Sequence, residues 1–328
     1  MKLKPWSILV ALVLLATSLP VAYAAEEKQA GDFPNKPIRI IIPFPPGGSN
    51  DLLSRFLGIK LTERLGQQVV IDNRGGANGI IGTDLAAHAV PDGYTLLMVS
   101  TSYVMNAAVR PLPYNVETSF DPISMIGTSP NCIVVYPEFG VNSLRELVDR
   151  ARARPASIFY ASSGVGGFNH FGGELFKKVA GIDLIHVPYK GGGPAMIDVM
   201  GGQIPMMFSS VTQVLPHVRT GKLKVLAVGA ANRTPALPET PTVAEAGFPG
   251  YEVAVWWGMV VPAGAPGAVI DRLHREFTTI LKDPDTRDRL AADAAETLIV
   301  TPAEFRKFIR DDVKKWSEVA KRANIRVQ

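Results

Sequence analysis

The sequence predicts an α/β fold built as two lobes, and three observations support this prediction. Short segments rich in Val, Ile and Leu alternate with amphipathic helical patterns, which favours parallel sheets covered by helices. Two glycine- and serine-rich loops, residues 44–50 (the first cradle) and 162–170 (the second cradle), each follow an apolar strand and lead into a helix. Residues 25–328, which follow a predicted leader, are numerous enough to form two lobes.

Residues 1–24 have the pattern of a cleavable signal peptide. Lys2 and Lys4 precede an apolar stretch over 7–19, and the small residues around 22–24 supply a cleavage site. The apolar stretch is short for a membrane span, so we predict an exported mature protein. The alternative is an uncleaved membrane anchor.

The single cysteine and the charge distribution limit the function further. Cys132 lies in an apolar run, so we expect a small buried side chain and no disulfide. An exported protein of this size without disulfides fits the bacterial periplasm. The net charge is +4, of which Lys2 and Lys4 contribute two, and this leaves +2 after cleavage. Lys and Arg are scattered without a basic and aromatic stripe, so nucleic-acid binding is not expected.

The first half of the chain alternates strands with helices. The strand Ile38–Ile42 enters the first cradle, and leucines at helical spacing predict a helix that begins near Asp51. The next predicted elements are a strand at 68–71, a glycine loop at 75–79, a helix through 85–87, and a strand at 95–99 that ends on Ser100, Thr101 and Ser102.

The second half repeats this pattern. Ser143 is a candidate N-cap for a helix over Leu144–Ala153. A strand over Ile158–Ala161 enters the second cradle, and a helix follows from about Phe168. The later predicted elements are strands at 184–187, 205–208 (ending on Ser209) and 223–228, an extended segment at 251–261, and helices at 268–281, 284–294 and 302–328.

The loops at the strand ends are candidate sites for an anion. A helix N-terminus offers unpaired backbone N–H groups and about half a positive charge, and glycines let a ligand approach that backbone. In open α/β sheets, ligands lie beyond the carboxyl ends of the strands. Two cradles far apart in sequence therefore suggest one acidic ligand held between two lobes. The candidate ligand-binding residues are Phe44, Pro46, Gly47, Gly48, Ser49, Asn50, Asn78, Ser100, Thr101, Ser102, Ser162, Ser163, Gly164, Gly166, Gly167, His170 and Ser209.

Some of these positions have a purely structural alternative. The glycines of the first cradle could simply form a tight turn, and His170 could cap its helix or pack between the lobes. Lys190 is expected to be a solvated loop residue. At most one of Trp256 and Trp257 is expected to face the cleft, because adjacent strand residues point in opposite directions.

The sequence does not favour an enzyme. It contains no Gly-x-Ser-x-Gly or Walker A motif, and the second cradle breaks the dinucleotide fingerprint at its third glycine. The histidines show no metal-ligand spacing, and no cysteine cluster exists. We therefore predict no catalytic residue, no metal site and no cofactor. A secreted hydrolase is the weaker alternative.

Several ordered motifs cover essentially all of the mature chain. They are Pro-Ile-Arg through Pro-Phe-Pro-Pro-Gly-Gly at 37–48 with Asp51, and the segments 91–97, 173–176, 186–191 and 241–247. Together they resemble the periplasmic solute receptors of tripartite tricarboxylate transporters, the Bug family. The resemblance implies a type II periplasmic-binding-protein fold, in which two α/β lobes enclose a ligand cleft.

The resemblance also implies a domain division and a partner. Lobe 1 would comprise residues 25–127 and 252–328, and lobe 2 residues 128–251, with hinges near 127–129 and 251–255. The receptor would be a monomer that captures a small organic carboxylate and delivers it to the membrane permease subunits of a tripartite tricarboxylate transporter. A ligand-sensing receptor that docks on a sensor kinase is the alternative.

Three positions depart from the family pattern. Asn50 stands where Thr is common, Gly167 where Ser is frequent, and Ser209 where many members have Asp. Without that carboxylate, the site loses a partner for an amine and does not repel a second acidic group. The expected ligand is therefore a di- or tricarboxylate or an aromatic carboxylate rather than an amino acid.

Overall fold

The computed structural model describes residues 33–325 of the chain, so the predicted signal peptide lies outside the described part. The strands are β1 Ile38–Ile42, β2 Val69–Asn73, β3 Thr95–Ser100, β4 Phe120–Val135, β5 Phe159–Ser162, β6 Ile185–Pro188, β7 Met206–Ser210, β8 Lys224–Val228, β9 Ala254–Pro262 and β10 Glu296–Thr297. The helices are α1 Ser49–Leu65, α2 Ile80–Ala87, α3 Thr101–Val109, α4 Leu144–Ala153, α5 Phe168–Ala180, α6 Gly192–Met200, α7 Val211–Arg219, α8 Gly267–Lys282, α9 Pro284–Ala292 and α10 Pro302–Ala323.

The strands join into one mixed sheet with two parallel flanks. The order is β2-β1-β3-β9-β4-β7-β5-β6, and β8 and β10 also pair with β4. In the first flank β1 runs parallel to β2 and β3, and in the second flank β5 runs parallel to β6 and β7. The central strands β4 and β9 run antiparallel to their neighbours. The prediction of parallel sheets is therefore confirmed for the flanks and wrong for the centre.

The strand β4 belongs to both halves of the molecule, and the sequence did not predict it. Its first part pairs with β9 and β10, and its last part pairs with β7 and β8. Pro122, Gly127 and Pro130 interrupt its strand pattern, and two shifts in register against β9 accommodate the first two. The N–H of Asn131 donates to the carbonyl of Val253 at 2.8 Å. The predicted hinges fall at these crossings, and the lobe boundaries stay a prediction.

Burial of the flank strands on both faces explains why their sequences are continuous apolar runs. Ile38 and Ile40 to Ile42 are fully buried, as expected for strands with helices on both faces. Cys132 is buried, as predicted. Aromatic packing also joins the two halves directly, because Phe171 of α5 meets Trp316 of α10 edge to face, with ring centroids 5.6 Å apart.

Two assignments next to the cradles change, and one predicted helix cap is confirmed. The helix α1 begins at Ser49 rather than near Asp51, with Gly48 as its N-cap. Thr101 and Ser102 lie in the first turn of α3, which follows β3 without a loop. The predicted cap of α4 is confirmed, because Oγ of Ser143 accepts the N–H of Glu146.

Candidate ligand-binding site

A cavity of about 40 Å³ lies between the two flanks, where five helices begin. The helices α1, α3, α5, α6 and α7 follow the carboxyl ends of β1, β3, β5, β6 and β7, and residues from the first turn or N-cap of each reach the cavity. The lining residues are Phe44, Gly48, Ser49, Asn50, Ser100, Ser102, Ser163, Phe168, Asn169, Gly192, Ser210, Gln213 and Val255.

The electrostatics of the cavity come from backbone dipoles. None of the described residues that line it has an ionisable carboxylate, amine, guanidinium or imidazole. Four of these helices, α1, α3, α5 and α6, have no side-chain cap from their own N-cap residues, which are Gly48, Ser100, Gly167 and Gly191. The N-cap side chains therefore do not satisfy the first backbone N–H groups of these helices. Such groups and the helix dipoles favour a negative charge at this point.

The first cradle is held by a buried carboxylate. Gly47 adopts a left-handed φ of 87°, and its N–H donates to Oδ2 of Asp51 at 3.0 Å. Nδ2 of Asn73 donates to Oδ1 of the same carboxylate at 3.0 Å, and Arg55 pairs with it at 3.0 Å. Asp51 therefore supports the loop and faces away from the cavity lining.

The second cradle is held by hydroxyls and an imidazole. The N–H of Gly166 donates to Nδ1 of His170 at 3.2 Å, and Oγ of Ser162 accepts the N–H of Gly164 at 3.1 Å. Oγ of Ser163, which lines the cavity, donates to Oδ1 of Asn169 at 3.1 Å. His170 therefore fixes the loop, in agreement with the structural alternative given for it.

Two neutral histidines stand behind this cradle. The rings of His170 and His186 lie 4.3 Å apart between centroids, and Nε2 of His186 is 2.5 Å from Oγ of Ser162. Burial lowers the pKa of His170 to about 4, and the cations of Lys177 and Arg110 act in the same direction. Burial, with His170 alongside, lowers the pKa of His186 to about 3.

Ser162 and His186 have the side chains of a nucleophile and its base. However, the hydroxyl of Ser162 is not accessible from the cavity. Ser162 is fully buried, and its Oγ is engaged with the Gly164 backbone and with His186. It does not belong to the cavity lining. In this arrangement the hydroxyl supports the loop.

The two flanks meet across the cavity through several close contacts. The N–H of Phe168 at the start of α5 donates to Oγ of Ser102 at 3.1 Å, and Arg110 donates to the carbonyl of Val165 at 2.5 Å. A Cβ on Gly193 would lie 2.3 Å from the carbonyl oxygen of Pro46. The structure is therefore a closed form in which the two cradles face each other.

Seven of the predicted site residues line the cavity: Phe44, Gly48, Ser49, Asn50, Ser100, Ser102 and Ser163. The structure places the remaining ones beside it: Pro46, Gly47, Asn78, Thr101, Ser162, Gly164, Gly166, Gly167, His170 and Ser209. Oγ1 of Thr101 accepts the N–H of Trp256, and Ser209 donates to Gln213, so both are engaged. Pro46 and Gly47 lie against Gly193. A ligand-contact role for any of these residues stays a prediction.

Six lining residues were missed: Phe168, Asn169, Gly192, Ser210, Gln213 and Val255. Phe168 and Asn169 open a helix that was predicted, so the helix start itself was a usable signal. Gly192 lies in the glycine run 191–193, which was not included among the candidate site residues. Gln213 has no local signal, because its position depends on how α7 packs against α1 and α6.

Neither of the tryptophans named above lines the cavity. Trp256 packs edge to face on Phe305 and Phe308, and its Nε1 donates to Asp312 at 2.7 Å. Trp257 is fully buried. Val255, the residue before them, is the one that reaches the cavity.

A second groove, of about 830 Å³, lies on the molecule between residues 230–235 and α9. Arg233, Arg287, Asp288 and Glu296 line it, so it carries both signs of charge. The helix that begins there, α9, is capped internally, because Asp283 accepts the N–H of Thr286. The groove is larger than the cavity but lacks its uncapped helix starts.

Two kinds of feature are absent from residues 33–325, a cluster of metal ligands and a membrane-spanning helix. In this part of the chain no group of three or more His, Cys, Asp or Glu side chains is arranged to hold a metal ion. No helix over the same residues is both long enough and apolar enough to cross a bilayer.

Comparison with known proteins identifies the family. The model of the tripartite tricarboxylate transporter family receptor matches residues 53–325. The chain belongs to this family. The protein BugT of Bordetella pertussis is 35% identical over 320 residues, which are 97% of this chain and 98% of BugT.

Solved structures of receptors resemble the whole fold. The periplasmic binding protein BugD is 33% identical, with a TM-score of 0.87 over 90% of this chain and 100% of that one. The R. palustris protein Rpa4515, solved with adipate, is 32% identical, with a TM-score of 0.88 over 90% and 99% of the two chains. The predicted two-lobed periplasmic-binding-protein fold and the Bug-family resemblance are thereby confirmed.

Proposed function

We propose that this protein is a periplasmic receptor that captures a small organic acid between its two lobes. The observation that carries the proposal is the convergence of five helix N-termini on a cavity whose described lining has no ionisable side chain. Backbone N–H groups that point at one place are an anion-binding arrangement. An amine would bring a like charge to the positive end of each dipole, and a sugar would bring no negative charge to it.

The acid drives closure because it contacts both lobes. Ser49 and Ser102 line the cavity from the first flank, and Ser163 and Asn169 line it from the second. A ligand that binds both faces only when they are together shifts the population toward the closed form. The adipate found in a relative of 32% identity supports a carboxylate as the guest.

The cellular setting follows from the leader and the family. Residues 1–24 act as a signal peptide that directs the mature chain, a monomer, to the periplasm. The closed receptor then docks on the permease subunits of a tripartite tricarboxylate transporter, as the family description supports. The protein performs no chemistry on its guest, since the nearest nucleophile and base, Ser162 and His186, lie behind the cradle.

Substituting a carboxylate into either cradle tests the site. Ser49→Asp and Ser163→Asp place a negative charge at a lining position, about 4 Å from a bound carboxylate. At an effective dielectric constant of about 20, two such charges repel by about 4 kcal/mol, or roughly a thousandfold in affinity. Calorimetry with succinate, adipate and benzoate, chosen after a thermal-shift screen of organic acids, measures the loss.

Ser157→Asp is the matched control, because Ser157 is an exposed serine of the second half and the substitution adds the same charge. It should bind like the wild type. Wild-type affinity in both cradle variants would show that the acid binds elsewhere. Thermal shifts with sugars or amines alone would refute the carboxylate function. Ester hydrolysis that is lost in Ser162→Ala would favour a hydrolase.

A further inference from the structure

The side chain of Gln213 is buried at the cavity with an amide donor that lacks a strong partner. Gln213 lies in the first turn of α7, is 5% exposed and lines the cavity. Its Oε1 accepts from Oγ of Ser209 at 3.1 Å, but its Nε2 is near only the thioether sulfur of Met196, at 4.0 Å. A thioether is a weak acceptor, so this N–H is available for a stronger one.

Asn50 presents a second unused amide from the facing helix. It is 6% exposed, lines the cavity, and its Nδ2 has no hydrogen-bond partner. The helices α1 and α7 are in contact, so Asn50 and Gln213 approach the cavity from neighbouring helices of opposite lobes. A buried amide without a partner costs about 1 to 3 kcal/mol unless a ligand engages it.

The equivalent residue of the second cradle shows that this free amide is specific to Asn50. Asn169 occupies the same position in α5, two residues after the N-cap, and also lines the cavity. Both ends of its amide are engaged, since Oδ1 accepts from Ser163 and Nδ2 donates to the carbonyl of Phe208. The fold therefore can satisfy an amide at this position, and it leaves Asn50 unsatisfied.

Gly192 makes room for the Gln213 amide. A Cβ at position 192 would lie 2.7 Å from Oε1 and 2.9 Å from Nε2 of Gln213. The amide therefore rests against the start of α6, with the start of α7 beside it. The uncapped start of α6 and two amides with unused donors meet on this side of the cavity, whereas the first turn of α7 is already capped, because Oγ of Ser210 accepts the N–H of Gln213 at 3.3 Å.

We propose that Gln213 and Asn50, with the first turn of α6, form a second anion subsite that selects a short dicarboxylate. This inference rests on the proposed function, and it assigns the first carboxylate to the starts of α1, α3 and α5. The four helix starts without a side-chain cap of their own, those of α1, α3, α5 and α6, supply about two positive charges at roughly half a charge each, which suits a dianion better than a monoanion. No carboxylate among the described lining residues is present to hold an amine.

The test is a selectivity ratio rather than a single affinity. Calorimetry gives the dissociation constants of succinate and of butyrate, which has the same chain length and one carboxylate, for the wild type and for Gln213→Met. Met keeps the length of the side chain and removes the amide. Since a hydrogen bond to a charged group contributes about 1.5 to 3 kcal/mol, the preference for succinate over butyrate should fall about 10- to 100-fold.

Gln213→Glu adds a charge at the same position and should reduce the succinate preference further. Gln203→Glu is the matched control, because Gln203 is exposed on the same lobe and the charge change is identical. This control should keep the wild-type preference. Thermal unfolding of each variant shows whether it is folded, and Gln213→Met serves where the buried glutamate prevents folding.

The possible results of these measurements distinguish a failure of the subsite from a failure of the proposed function. A preference for succinate that collapses in Gln213→Met supports the subsite. If the wild type binds succinate and butyrate equally, and Ser163→Asp abolishes both, the subsite is refuted and the receptor function stands. An unchanged preference in Gln213→Met refutes the role of the amide. If no acid binds the wild type, the proposed function fails and this inference fails with it.

Discussion

The two cradles place equivalent residues in equivalent positions but use different chemical groups to hold them. In the first, the N–H of Gly47 donates to the carboxylate of Asp51, and in the second the N–H of Gly166 donates to Nδ1 of His170. In both, the donor precedes a glycine N-cap and the acceptor lies in the first turn of the helix. The acceptor is a carboxylate paired with Arg55 in one cradle and a neutral imidazole in the other.

This difference shows that two loops with the same backbone arrangement can be held in place by different side chains. A carboxylate near a bound acid is tolerable in the first cradle because its oxygens are used by Gly47, Asn73 and Arg55. An imidazole with a low pKa adds no charge, but it can be protonated in acid. We therefore expect the first cradle to depend on a fixed ion network and the second on pH.

The largest expected effect is the loss of the carboxylate in the first cradle. Asp51 is 3% exposed and accepts from a backbone N–H, an amide and a guanidinium. Asp51→Ala leaves the N–H of Gly47 and the amide of Asn73 without this acceptor, so the free energy of unfolding should fall by about 3 kcal/mol. Urea denaturation at pH 7 measures the change.

The control for this variant is Asp311→Ala, which removes an exposed carboxylate paired with Lys307 on α10. An exposed pair contributes about 0.5 kcal/mol or less, so the free energy of unfolding should hardly change. Equal losses in the two variants would mean that Asp51 behaves as an ordinary surface charge and does not support the cradle.

The second largest effect is the acid sensitivity of the second cradle. The pKa of His170 is lowered to about 4 and that of His186 to about 3, so between those values and the unfolded value of about 6.5 the unfolded chain binds more protons. Stability should therefore be full above about pH 6.5 and fall as the pH drops toward 4, by an amount on the order of 2 kcal/mol.

Replacement of one histidine should reduce this slope. His186→Gln keeps a hydrogen-bonding group near Oγ of Ser162 and removes a titrating ring. Its free energy of unfolding should change less between pH 7 and pH 4.5 than that of the wild type. His88→Gln, which removes an exposed imidazole on α2, should keep the wild-type slope. If the free energy of unfolding depended on pH in the same way in all three proteins, the buried histidines His170 and His186 would not be the cause of the acid sensitivity.

The sequence predicted both cradles because their signals are local. An apolar strand, a glycine loop and a helix pattern adjoin one another in each case, and the start of α5 at Phe168 is confirmed. The first helix was placed two residues late, since the hydroxyl and amide of Ser49 and Asn50 were interpreted as loop residues. The whole of α3, Thr101–Val109, was missed, because Thr101 and Ser102 were interpreted as small hydroxyl residues at the end of a strand.

The remaining parts of the site depend on contacts between distant segments. The strand β4 is not recognisable in the sequence, because its strand pattern is interrupted by Pro122, Gly127 and Pro130. It forms a strand only by pairing with β9. The sequence places His186 in a strand, and only packing brings it to Ser162. Gln213 becomes a lining residue through the approach of α7 to α1, which no local pattern encodes.

A third expected effect concerns the contact of the first cradle with the opposite lobe. A Cβ on Gly193 would lie 2.3 Å from the backbone carbonyl oxygen of Pro46, so Gly193→Ala prevents the lobes from closing fully. The closed population should fall, and the dissociation constant for the preferred acid should rise about tenfold, equivalent to about 1.4 kcal/mol. Calorimetry measures it.

Gly201→Ala is the matched control, because Gly201 lies just beyond the other end of α6 and its Cβ would meet only ordinary contacts of 3.4 Å and beyond. It should bind the acid as the wild type does. A normal affinity in Gly193→Ala would show that the ligand-bound form is wider at this point than the closed form described above.

The smallest expected effect tests why position 167 is glycine. A Cβ there would lie 2.4 Å from Oδ1 of Asn78, whose Nδ2 donates to Asn106 across a buried contact. Gly167→Ala should therefore displace the Asn78 side chain and lower the free energy of unfolding by about 1 kcal/mol. Asn78 has a φ of 55°, so Asn78→Gly removes its side chain without backbone strain.

In the Asn78→Gly background, Gly167→Ala should cost almost nothing, because the clashing atoms are gone. Urea denaturation of the two single variants and the double variant gives the coupling energy, expected to be about 1 kcal/mol. Equal costs in both backgrounds would show that the glycine serves the second cradle itself, for instance close approach of the ligand to its backbone. A full coupling would instead mean that position 167 is glycine because the side chain of Asn78 occupies the adjacent space, so that the glycine serves a contact between the two lobes.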